Sequence, residues 1–131
     1  MDFTHSSRKD IGNHGESVAA EYLRRRGFHI LGHAIAYKTG ELDVVAQKGE
    51  VVHIVEVKAL RCREFSTPGE VLNQYDPGDN LSVYKLQKVR RTAEWYLAQK
   101  GWNGEWQIDA ALVWVRARDG VARIRYLPQV G

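Results

Sequence analysis

The chain has 131 residues, 44% of them hydrophobic and 27% charged, with a formal net charge of +3. This is the size and composition of one ordinary globular domain, long enough to bury a core without cross-links. The single cysteine, Cys62, excludes an internal disulfide. The polar first ten residues offer no signal core, and no apolar run approaches the roughly 20 residues of a membrane span, so a cytoplasmic protein is expected.

Residues 1–12 read as a flexible N-terminal arm, and 13–131 as a single domain. From His14 to Arg26, Val18, Ala19, Tyr22 and Leu23 recur at helical spacing, and Gly27 stands where a C-terminal cap belongs. Phe28 to Leu31 predicts a short strand, continued by Ala34 to Tyr37 after a break at Gly32, and Thr39-Gly40 is a turn. Leu42 to Ala46 and Val51 to Ala59 predict two strands joined around Lys48-Gly49. Leu60 to Asn80 is irregular, with Pro68-Gly69 and the run from Asp76 to Asn80 as turn formers. Asn80 or Ser82 caps a second helix that runs to about Lys100, with Leu86, Val89, Ala93, Tyr96 and Leu97 as its buried stripe. Gln107 to Val115 is another strand, Arg118-Asp119-Gly120 a hairpin turn, and Val121 to Leu127 the return. The order, α-β-β-β-α-β-β, predicts an α/β domain with one mixed central sheet flanked by helices.

Charged residues interrupt the two central strands. If Lys48-Gly49 is a two-residue turn, Asp43 pairs with Ile54 and Glu41 with Glu56, so that Glu41, Asp43, Glu56 and Lys58 share one face. A register shifted by two sets Asp43 directly opposite Glu56 on that same face, because side chains alternate with period two. Like charges opposed across a sheet are destabilising, and a divalent cation between them removes the penalty. Mg²⁺ or Mn²⁺ suits one or two carboxylates together with water and phosphate oxygens. With Lys58 in reach of a phosphate or a metal-bound water, this is the equipment of metal-assisted phosphodiester hydrolysis.

Glu16 borders the buried stripe of the first helix. It is either a third acid of the site or an N-terminal acid placed favourably on the helix dipole. The five histidines show no zinc spacing. Asp109 is either structural or a member of the polar site. Lys85 and Lys88, one helical turn apart, join Arg91 and Arg61 as candidate phosphate contacts, which makes nucleic acid the expected partner. The four tryptophans fit core or dimer surface.

These motifs resemble the PD-(D/E)xK nuclease superfamily and, more closely, the small bacterial endonuclease-like YraN family. The resemblance runs through Gly12-Asn13-His14-Gly15-Glu16, Gly27 to Leu31, Gly40-Glu41-Leu42-Asp43, Val55-Glu56-Val57-Lys58, Lys85 to Leu97 and Asp109. It implies a restriction-endonuclease-like fold similar to Holliday junction resolvases. It also implies a metal site from Asp43, Glu56 and the Val57 carbonyl, Lys58 as catalytic lysine and Glu16 as auxiliary acid. A homodimer acting on branched DNA follows by analogy. The chain departs from the family pattern at Ala59-Leu60-Arg61, at Ala34 to Lys38 and in the stretch from Asn73 to Val83, which bears on substrate contacts. The alternative reading is a non-catalytic nucleic-acid-binding protein on the same fold; a third is an assembly protein with a tryptophan interface.

Overall fold

The computed structural model describes residues 1–65 and 83–131. Its elements are α1 (Arg8–Arg25), β1 (His29–Tyr37), β2 (Gly40–Lys48), β3 (Val51–Cys62), α2 (Val83–Gln99), β4 (Glu105–Arg116) and β5 (Ala122–Leu127), in the expected order. The turn formers Pro68-Gly69 and Asp76 to Asn80, and the proposed caps Asn80 and Ser82, lie outside the described residues.

The five strands form one sheet in the order β1-β2-β3-β4-β5. Three neighbouring pairs are antiparallel, and β3 and β4 run parallel in an unbroken ladder from Val51↔Glu105 to Cys62↔Arg116. A parallel pair needs a crossover instead of a tight turn, and α2 lies within that connection. The two helices cover opposite faces. Val89, Ala93, Tyr96 and Leu97 of α2 pack on Leu42, Val45, Val52, Ile54 and Ile108. Ala19 and Leu23 of α1 pack on Val44, Ala46, Val55 and Ala111. A sheet covered on both sides requires apolar residues at successive positions in its middle, which is why Ile108 to Val115 reads as a near-continuous apolar run.

The N-terminal segment corrects one expectation. It is no loose arm through residue 12, because α1 begins at Arg8 with Ser7 as its N-cap, the Ser7 hydroxyl accepting from the Asp10 N–H at 3.1 Å. Phe3 is buried with Ile11 against Val113 and Val115, a burial worth about 2 kcal/mol. The Phe3 N–H donates to the Ala117 carbonyl at 2.5 Å. The Arg61 guanidinium donates to the carbonyls of Thr4 and Ser6 at 3.2 and 3.0 Å. A helix cap and two apolar side chains hold what composition alone made look free.

Smaller differences concern the strands. β1 is one strand with an irregularity between Ile30 and Gly32, and the positive φ of 50° falls on Ala34. The β2–β3 turn is Gly49-Glu50, with Gly49 at φ 60°. Positive φ at the first central position is the requirement of a type II′ hairpin, and it moves the turn one residue beyond Lys48-Gly49. The register therefore shifts by two, to Val44↔Val55, and side chains within that ladder keep their faces. Beyond it the alternation breaks, since Leu42 packs on the α2 side with Val45 while Val44 packs on the α1 side. Among the described residues no helix is long and apolar enough to cross a membrane.

Candidate metal centre

The β2–β3 ladder stops at Val44↔Val55, while β3 stays paired to β4 as far as Cys62. The two strands part where the acids stand. The Asp43 carboxylate takes over the next position, its Oδ2 accepting the Val57 N–H at 2.8 Å. That bond satisfies a backbone donor left without a strand partner and fixes the carboxylate in the notch.

Glu16 arrives from α1. Its neighbour Gly15 makes this approach possible: a Cβ on Gly15 would lie 2.5 Å from the Ala59 Cβ and 3.8 Å from Val57. Only a residue without a side chain lets α1 descend onto β3 here. Glu41 completes the group from the start of β2. Single carboxylate oxygens of Glu16, Glu41 and Asp43 lie within 4.8 Å of one another.

Glu56 comes from below. It is 6% exposed and shares a groove of about 300 Å³ with Gly40, Glu41, Tyr84, Lys85, Lys88, Val89 and Thr92. Gly40, at φ 151°, is the floor where α2 comes close: a Cβ there would meet the Thr92 hydroxyl at 3.2 Å.

The electrostatics follow from this crowding. Burial pushes Glu56 up to about 9, assisted by the charge of Asp43 and by the hydrogen bond the two carboxyls share. Burial likewise raises Asp43, opposed by the Val57 N–H and by the Glu56 hydrogen bond. Glu16 is pushed up to about 7, by burial first and then by the charges of Asp43 and Glu41. Lys85 is a cation whose charge lowers both Asp43 and Glu56. Even so, Oε1 of Glu16 and Oε1 of Glu56 are buried with no hydrogen-bond partner. A buried, partnerless carboxylate oxygen is costly, and two of them around one notch are a ready fit for a hard cation with oxygen ligands.

The sequence-derived residues thus divide. Glu16, Asp43 and Glu56 come together, joined by Glu41, which sequence placed on the right face without assigning it to the site; the Gly-Glu-x-Asp spacing was the available signal. Lys85 and Lys88 flank the same groove. Val57 contributes its N–H to Asp43. Lys58 lines a separate cavity of about 470 Å³ at the start of α1, with Ser6, Arg8, Ile11, Gly12 and Arg61. Arg61 is occupied with the N-terminal carbonyls, and Arg91 is exposed on α2.

Asp109 belongs elsewhere. Fully buried, it accepts from His53 Nδ1 at 2.6 Å, Gln107 Nε2 at 2.8 Å, the Gln129 N–H at 2.8 Å and the Tyr126 hydroxyl. This hub locks β3, β4, β5 and the C-terminal tail. Nothing in the local sequence announced it, since its partners are up to 56 residues away.

A model of the uncharacterised protein family UPF0102 matches residues 15–113. The chain belongs to this family. It is the YraN family to which the motifs pointed. A UPF0102 protein of Caldicellulosiruptor saccharolyticus is 29% identical over 122 residues, covering 92% of this chain and 96% of its own. One from Symbiobacterium thermophilum is 36% identical over 91 residues, 70% of each chain. One from Campylobacter jejuni is 34% identical over 95 residues, 72% of this chain and 75% of its own. The UPF0102 match spans Glu16, Glu41, Asp43, Glu56, Lys58, Lys85 and Lys88, so the whole carboxylate notch and both flanking lysines lie within the family segment.

Proposed function

We propose that this UPF0102 protein is a Mg²⁺- or Mn²⁺-dependent endonuclease that hydrolyses phosphodiester bonds in structured, branched DNA. The observation that carries this reading is the pair of buried, partnerless carboxylate oxygens, on Glu16 and Glu56, around a notch already holding Asp43 and Glu41. Those four side chains, with the Val57 carbonyl, would hold the ion. When bound, a divalent ion supplies polarisation of a phosphate and a water of lowered pKa. Asp43 enters that role already oriented, because the Val57 N–H fixes one of its oxygens. Lys85 and Lys88, on the rim of the groove, receive the phosphates on either side of the scissile bond. Lys58, which lines a separate basic cavity with Arg8, would act as the catalytic lysine, orienting or deprotonating the attacking water. Homodimerisation, as in the resolvases, would present two such grooves to one junction.

The test is cleavage of four-way, flapped, nicked and linear DNA with each metal. Asp43→Asn and Lys58→Ala are expected to abolish cleavage while leaving binding largely intact. Intact DNA with every substrate and both metals would overturn the proposal. One observation favours a second reading, binding without turnover: Lys58 lines a cavity separate from the carboxylate groove. Salt-dependent DNA binding with no metal-dependent product would support that reading.

A further inference from the structure

The exposed face of α2 carries a pattern that the metal centre does not use. Tyr84 is 76% exposed and Trp95 59%, and among the described residues these are the exposed large aromatic side chains. They stand eleven residues apart, which is about three turns, so the two rings lie within about 20° of each other around the helix and about 16 Å apart along it. Lys88 and Arg91, both exposed, fall between them on the same face, at steps of four and three. The stripe is opposite to the one that packs on the sheet, which is Val89, Ala93, Tyr96 and Leu97. Its first end opens into the carboxylate groove, since Tyr84 and Lys88 line that groove beside Glu41 and Glu56.

We infer that the Tyr84-Lys88-Arg91-Trp95 face of α2 binds an unpaired nucleic-acid strand and leads it to the carboxylate notch. This rests on the nucleic-acid reading above and narrows its substrate to DNA with single-stranded character. Rings alternating with cations match a strand that alternates bases with phosphates. Duplex DNA offers phosphates but keeps its base faces stacked and inaccessible, so the two rings gain nothing from it beyond contact. The stripe's length equals about five stacked nucleotides at 3.4 Å each. A second copy of the chain is the other occupant of an exposed aromatic face. A two-fold contact through this stripe would set Lys88 and Arg91 against their own counterparts, a like-charge arrangement that disfavours it.

The experiment is fluorescence anisotropy with a labelled oligothymidylate of about twelve nucleotides and a blunt duplex of the same length, in EDTA so that nothing is cut. Trp95→Ala and Tyr84→Ala should each weaken the single strand by roughly tenfold and leave the duplex within about twofold. Trp95→Phe should stay close to the parent, since any π-face can stack. Lys88→Ala should weaken both ligands and flatten the salt dependence. Equal losses on both ligands, or no loss on the single strand, overturn the inference. So does a Trp95→Ala variant that dissociates a dimer in sedimentation while binding single strands normally; that result assigns the face to a second copy. Metal-dependent cleavage unaffected by Trp95→Ala on every substrate removes the stacking face and leaves the nuclease. Selective loss of single-strand binding, in a protein that cuts nothing, removes the nuclease and leaves the stacking face.

Discussion

Gly15 of α1 and Ala59 of β3 touch so closely that no side chain fits between them: a Cβ on Gly15 would stand 2.5 Å from that of Ala59. The contact sets the height of α1 above the sheet, and with it the reach of Glu16, the next residue, into the notch. The methyl group of Ala59 has no rotamer with which to move aside.

Gly15→Ala therefore sets two effects in opposition. Helix propensity favours alanine by up to about 1 kcal/mol, while overpacking a tight site costs about 1–3 kcal/mol. The clash wins because both partners are rigid. The expected result is a fall in melting temperature of about 5 °C, together with weaker Mn²⁺ binding as Glu16 is lifted. Ala59→Gly added to Gly15→Ala should recover most of both. Calorimetry and Mn²⁺ titration of the four proteins of this cycle decide it. An absence of rescue would mean that the Gly15–Ala59 approach does not set the position of Glu16.

The acids should be a liability without metal. Above about pH 9, where Glu56 ionises beside Asp43, Asp43→Asn and Glu56→Gln each remove one buried like charge, and in EDTA each is expected to raise the melting temperature, by about 3 °C or more. Mg²⁺ or Mn²⁺ should stabilise the parent through binding to the folded state and stabilise neither variant. A parent protein indifferent to both ions would remove the metal centre. A variant that melts lower than the parent in EDTA would show that the Asp43 bond to Val57 outweighs the repulsion.

The same groups fix the pH dependence of the metal-free protein. Glu16 lies at about 7 and Glu56 at about 9, both above the ordinary 4.5. Groups raised on folding contribute stability that is complete below the unfolded value and is lost as pH rises through the folded one. In EDTA, stability should therefore decline from about pH 5 to about pH 9, the reverse of acid denaturation. With Mg²⁺ present the slope should flatten or invert, because the ion competes with protons and binds better as pH rises. Urea midpoints at four pH values, with and without the ion, make the comparison. A metal-free protein whose midpoint rises from pH 5 to 9 would contradict the burial of the Glu16 and Glu56 carboxyls.

Much of the site was legible because strand alternation is insensitive to a register error of two. The turn falls at Gly49-Glu50 instead of Lys48-Gly49, yet Asp43 and Glu56 still meet. Glu16 was legible only as an alternative, because its role depends on Gly15 packing against Ala59, a contact between residues 44 positions apart. The buried stripes of both helices follow from periodicity, and the structure keeps them. What composition concealed was tertiary. The N-terminal segment looked polar and loose, but Phe3, Ile11 and the Arg61 hydrogen bonds hold it. Lys58 was placed with the acids by alternation, whereas in the fold it lines a separate basic cavity at the start of α1. No periodic pattern could foresee the convergence of His53, Tyr126 and Gln129 on Asp109, because it joins three strands and the tail.

That convergence gives the last prediction. Asp109 is fully buried and takes four donors on two oxygens. Asp109→Asn turns one of those oxygens into a donor facing donors, and hydrogen bonds to a charged group are worth about 1.5–3 kcal/mol each. The expected loss is about 3 kcal/mol or more, against about 1.5 kcal/mol for Tyr126→Phe, which removes a single donor. Because Gln129 and Val130 are tied to Asp109 and Ile108 by bonds of 2.8 Å, amide exchange of the tail should accelerate in Asp109→Asn well before global unfolding. The rise in melting temperature on adding Mn²⁺ should survive, since Asp109 stands outside the carboxylate notch. Loss of that rise, with the fold intact by circular dichroism, would instead place Asp109 in the metal centre.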